Sequence, residues 1–92
     1  MILLFLGKVV GSVWATQKEI GMENLKLLLV QPIHADGTNT GTQVICADRI
    51  GAGYGETVIV SRGSSARILI SKDSPVDAVV VGIVDSFEYR NN

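Results

Sequence analysis

Residues 50–61 read IGAGYGETVIVS, and the reading of this stretch decides the fold. Gly51, Gly53 and Gly55 stand at alternate positions and raise the question of a phosphate loop. A dinucleotide fingerprint needs a strand before its glycines and a helix after them, because the helix N-terminus receives the pyrophosphate. Here the glycines run into Thr57, Val58, Ile59, Val60 and Ser61, a β-branched run that prefers strand. The third glycine also falls one position early, G-x-G-x-G in place of G-x-G-x-x-G, and no G-K-[ST] follows. The stretch reads as a loop between strands, its glycines permitting positive φ or close approach of another backbone.

Working outward, strand patterns separated by turn signals account for most of the chain. KVVGSVWAT (8–16) alternates, with Trp14 on the same face as Val10 in a core or an interface. LKLLLVQPI (25–33) is apolar on both faces, as a strand covered on both sides would be. HADGTNTG (34–41) gathers Asp, Gly, Thr and Asn and reads as a hairpin loop. TQVICADR (42–49), ETVIVS (56–61) and DAVVVGIVDSFEY (77–89) are further strands, with Gly82 marking a bend or bulge in the last. Helix signals are thin. QKEIGMENL (17–25) is a loop, and KDSPVDAV (72–79) is a short helix capped by Ser74, with Pro75 first and Asp77 in the opening turn. Five strands and one short helix in 92 residues give a mainly β fold, a small five-stranded OB-like β-barrel, as a single domain over 1–92.

Composition bounds the function. Hydrophobic residues make up 47% of the chain, more than so small a core hides comfortably, so burial against copies of itself is the expected outlet. Eight basic and nine acidic residues give a net charge of −1, with no basic patch to neutralise phosphates, which argues against nucleic acid and anionic membrane as partners. No apolar run approaches the ~20 residues that span a bilayer, and MILLFLGK lacks the charged start of a signal peptide. The expectation is a soluble, intracellular protein.

Catalytic chemistry finds no foothold. Ser64 and Ser65 in SRGSSAR (61–67) lack a neighbouring base, since the sole histidine, His34, sits in the hairpin loop, and no G-x-S-x-G elbow surrounds them. One His, the single Cys46 and dispersed carboxylates offer no metal-ligand spacing, and Cys46 reads as a small buried hydrophobe. Trp14, Tyr54, Phe87 and Tyr89 are too scattered for a base-stacking platform. Arg67, in a small serine-rich turn, is suited to fork onto a carboxylate or carbonyls of a neighbouring chain.

Taken in series, ADRIGAGYGETVIVSRGSSAR and SPVDAVVVGIVD, with GKVVGSVWATQK and LKLLLVQPI ahead of them, resemble the EutN/CcmL family of pentameric vertex proteins from bacterial microcompartment shells. The resemblance runs along nearly the whole chain. It implies an OB-like barrel assembled as a cyclic homopentamer that caps the vertices of an icosahedral shell in the cytoplasm and packs against hexameric shell proteins. It implies no enzymatic activity and no cofactor. Gly51, Ala52, Gly53, Tyr54 and Gly55 would approach the five-fold axis. Glu56, Gly63, Ser64, Ser65 and Arg67 would lie near the contact between protomers, Arg67 making polar links. The alternative from another class is an OB-fold nucleic-acid-binding module, which should be basic and show exposed aromatics on the barrel face.

Overall fold

Five strands form where the sequence alternates or crowds β-branched residues: β1 Leu3–Val13, β2 Lys26–Pro32, β3 Val44–Asp48, β4 Thr57–Arg62 and β5 Ala78–Val84. The structure, a computed structural model, describes residues 3–14, 26–63 and 77–86. The hydrogen-bonded order is β1-β2-β3-β5-β4, and β4 returns to β1 to close a barrel. Every neighbouring pair is antiparallel except β3 and β5, which run parallel through Ala47↔Val79 and Asp48↔Val80.

Closure depends on β1. Its first half pairs with β4, from Leu3↔Arg62 to Lys8↔Thr57, and its second half pairs with β2, from Gly7↔Pro32 to Val13↔Leu27. Gly7 sits where both partners meet, and a Cβ there would overlap the Val30 side chain. A glycine thus lets the strand pass close over the core as it changes partners. A register shift between Val9 and Gly11 adds the bend that a bulge supplies.

Alternation then fills the interior. Val9, Leu28, Val30, Cys46, Val58, Val60, Ala78 and Val80 are buried together, one from β1 and β3 and two from each of the other strands. Five of these are valines, each contributing about 1.5–3 kcal/mol on full burial. Phe5 and Val44 pack against this cluster as partly buried residues. Cys46 is fully buried, and desolvation pushes its thiol up to about 12.

Three expectations are narrowed, changed or left open here. Trp14 is 92% exposed, so it belongs to no core of its own protomer. The first strand begins at Leu3, ahead of the expected Lys8, because Leu3 to Leu6 find β4 as a partner. The short helix expected over 72–79 lies largely outside the described residues, and its last two residues, Ala78 and Val79, belong to β5. The hairpin loop stands as read. Gly37 takes φ 89, the Asp36 carboxylate accepts from Thr38 N at 3.0 Å, and buried Gln31 sends Nε2 to the carbonyls of Pro32, Thr40 and Gly41. The bend at Gly82 is also real: β5 shifts register opposite Ile59 and Val60, with Val81 as the extra residue.

Candidate functional site

The loop that connects β3 to β4 is built around two carboxylates. Asp48 ends β3 with its side chain fully buried and turned back over the residues that follow. Its Oδ1 accepts from Ile50 N at 3.1 Å and Gly51 N at 3.2 Å, and its Oδ2 accepts from Ala52 N at 2.9 Å. Lys26 Nζ approaches Oδ2 at 3.7 Å from a half-exposed position. An aspartate followed by amides two to four residues on is the usual chemistry of an Asx turn, here extended to a third donor.

The second half of the loop turns on Glu56. Its Oε1 accepts from Gly53 N at 2.6 Å, while its own N–H donates to Gly53 O at 3.1 Å. Gly55 N donates to Val9 O at 2.9 Å, and Val9 N donates back to Glu56 O at 3.0 Å, which stitches the loop to β1. Gly51 and Gly55 take φ of 85° and 84°, the left-handed region that disfavours a Cβ. Gly53 lies outside that region, and a Cβ on it would stand 3.3 Å from Glu56 Oε1. Two of the three glycines are therefore required by backbone angle, whereas at the third an added Cβ meets only the far end of the Glu56 side chain.

This geometry differs from that of a phosphate loop. A phosphate cradle needs backbone N–H groups converging on open space. In this loop the amides of Ile50, Gly51, Ala52 and Gly53 converge on the chain's own carboxylates. Asp48 and Glu56 occupy the place of the anion.

The residues singled out in the sequence divide into four groups. Gly51, Tyr54 and Gly55 are exposed, Tyr54 at 79% on the tip of the turn. Ala52 is buried and joins the barrel core, so its side chain belongs to its own protomer. Glu56 and Gly63 are half-buried; Gly63 takes φ 114 and donates its N–H to Asp77 O at 2.8 Å at the end of β4. Ser64, Ser65 and Arg67 lie outside the described residues. Asp48 was missed in the sequence. The signal was present, since an aspartate stands at the end of a strand immediately before a glycine-rich turn.

Among the described residues, grooves open on the surface. One of about 500 Å³ follows the β3–β5 seam between Arg49, Ile50 and Val79 to Val81. Another of about 440 Å³ lies at the Val44 end of β3, with Leu3, Phe5 and Arg62 on its walls. Among the described residues each is lined by one titratable side chain, an arginine, and no acid–base pair is present there. Among the described residues no three His, Cys, Asp or Glu side chains come together, and no helix is long and apolar enough to cross a membrane. What the surface does offer is apolar area: Leu4, Ile45, Ile50, Val81 and Ile83 are exposed, together with Trp14 and Tyr54. Leu29 and Ile45 face each other across β2 and β3, with Gly11 beside Leu29 on β1.

Comparison with known proteins gives one consistent result. The family model for the ethanolamine utilisation protein EutN/carboxysome matches residues 4–85. The bacterial microcompartment shell vertex protein GrpN of Rhodospirillum rubrum is 46% identical over 96% of this chain and 100% of its own length. Its solved structure, a pentameric microcompartment shell protein, superposes with a TM-score of 0.85 at 44% identity, covering 94% of this chain and 99% of that one. The CcmL structure from Gloeobacter violaceus also gives 0.85, at 43% identity over 92% of this chain and 89% of its own.

Proposed function

The chain belongs to the EutN/CcmL family, and from that premise we propose that five copies close into a ring that caps the vertices of a bacterial microcompartment shell and packs against hexameric shell proteins. It is a structural shell vertex protein and not an enzyme, placed in the shell within the cytoplasm, as its relatives are shell vertex proteins. The observation that carries the ring is the end-to-end similarity to a pentameric shell protein at a TM-score of 0.85. Nothing in these relatives favours the nucleic-acid-binding alternative.

The physical features of the protomer support this reading. Its barrel has the strand order and single parallel seam of an OB-like fold. Its outer face carries apolar side chains on more than one side, as a head-to-tail ring requires, because each protomer must present two different surfaces. In the ring, Gly51, Ala52, Gly53, Tyr54 and Gly55 approach the five-fold axis, Ala52 through its backbone alone. Glu56, Gly63, Ser64, Ser65 and Arg67 lie near the contact between adjacent protomers.

Native mass measurement at micromolar concentration tests the ring. The expected species is a five-fold multiple of the 9.8 kDa protomer. A stable monomer under those conditions refutes it.

A further inference from the structure

We propose that Asp48 and Glu56 are positioning residues for ring assembly, holding residues 50–56 in the shape that the next protomer meets. The inference rests on the reading above that this loop stands at the axis of the ring. Neither carboxylate needs to touch a neighbour. Asp48 is fully buried in its own chain, and Glu56 commits Oε1 to Gly53 at 2.6 Å.

The loop is a poor candidate for order without them. Glycines at 51, 53 and 55 leave its backbone with more freedom to lose than any other residue type would. Association that must also order a segment is weakened by the cost of ordering it, and a segment already fixed escapes that cost. Here the fixing is electrostatic and local. Asp48 takes the amides of Ile50, Gly51 and Ala52, and Glu56 takes that of Gly53, so four consecutive N–H groups close on two anions before any second chain arrives. Such charge-assisted bonds are about twice as strong as neutral ones. Tyr54, the exposed tip, is then presented in one position.

The two ends of the clamp differ in what they tolerate. Asn at position 48 keeps one acceptor oxygen but sets an amide NH2 against a backbone N–H in a buried place, where no water replaces the lost partner. That substitution endangers the fold itself. Glu56 is half-buried on a turn, so Glu56→Ala removes the acceptor while leaving the barrel core untouched. Glu56→Gln restores an acceptor of the same reach.

The experiment uses the full chain as wild type, Glu56→Ala, Glu56→Gln and, where it folds, Asp48→Asn. Amide hydrogen exchange reads the loop, native mass spectrometry across a dilution series reads the concentration of half-assembly, and urea unfolding of dissociated protomers reads the fold. Glu56→Ala should speed exchange at Gly53 and raise the half-assembly concentration about tenfold, with little change in the urea midpoint, and Glu56→Gln should recover most of both losses. Unchanged exchange at Gly53 in Glu56→Ala overturns the clamp. Faster exchange with an unchanged half-assembly concentration overturns its role in assembly alone. A wild type that never forms rings removes the underlying reading, and the proposal with it.

Discussion

Replacing each loop glycine by alanine separates the reasons for which the three are there. Gly51 and Gly55 occupy the left-handed region, with nothing within 4 Å of an added Cβ, so an alanine meets backbone strain and no clash. That strain is about 1–2 kcal/mol per site. Against it stands the smaller entropy of the unfolded chain when glycine becomes alanine, about 0.4–1 kcal/mol in favour of folding. The net for Gly51→Ala or Gly55→Ala is a loss of roughly 0.5–1 kcal/mol. Gly53→Ala escapes the backbone strain and meets only Glu56 Oε1 at 3.3 Å, the far end of a side chain that can shift. Its net is near zero or slightly stabilising. The separation between Gly51→Ala and Gly53→Ala is then about 1 kcal/mol, which in a domain of this size is roughly 4–8 °C in unfolding midpoint. Thermal unfolding followed by circular dichroism measures it, at one fixed protomer concentration because assembly raises the midpoint. If Gly53→Ala costs as much as Gly51→Ala, backbone angle is not what selects these glycines and the reasoning fails. The assembly side is read with a larger side chain: Gly53→Leu should impair ring formation, and rings of wild-type stability would remove this loop from the axis.

Two further predictions follow from the barrel. Gly7→Ala puts a methyl into the Val30 side chain and should cost about 1–3 kcal/mol by overpacking, measured as a fall in the urea midpoint; an unchanged midpoint would show that β1 has room to move. The Cys46 thiol is raised from 9.0 to about 12 by burial, with Arg62 lowering it and Asp77 raising it by smaller amounts. Because the folded value lies above the unfolded one, its contribution is complete below about pH 9 and is lost as pH rises from there toward about 12, by up to about 1.4 kcal/mol per pH unit. Comparing alkaline unfolding of wild type and Cys46→Ala isolates this contribution, and parallel curves would contradict it. Native Cys46 should also resist thiol reagents until the chain unfolds.

Much of the fold was legible because short strands declare themselves by composition and by what interrupts them. LKLLLVQPI gave β2 within one residue at each end, since a run this apolar has few other ways to be buried. Thr57 to Arg62 became β4 for the same reason that excluded a phosphate loop, a β-branched run where a helix would have to start. Leu3 to Leu6 were not read as strand because an unalternating leucine-rich start has no periodicity to mark its face, and its partner β4 is distant in sequence. The resemblance named the family, but the inner construction of the loop lay beyond it. Nothing in the spacing says that Ala52 turns inward or that Glu56 reaches back to Gly53, because both follow from φ at Gly51 and Gly55. Asp48 was readable from local chemistry alone, and its role follows from the amides placed ahead of it.

The parallel seam has a consequence for how the protein is made. β5 lies between β3 and β4, so until residues 78–84 have left the ribosome both of those strands keep an open edge and the barrel has no closed form. Nascent chains lacking β5 therefore have no completed outer surface to offer a neighbour. Closure must also draw together segments far apart in sequence, the slow kind of contact. The fifth strand is thus the last piece the barrel needs before every strand has a partner on both sides.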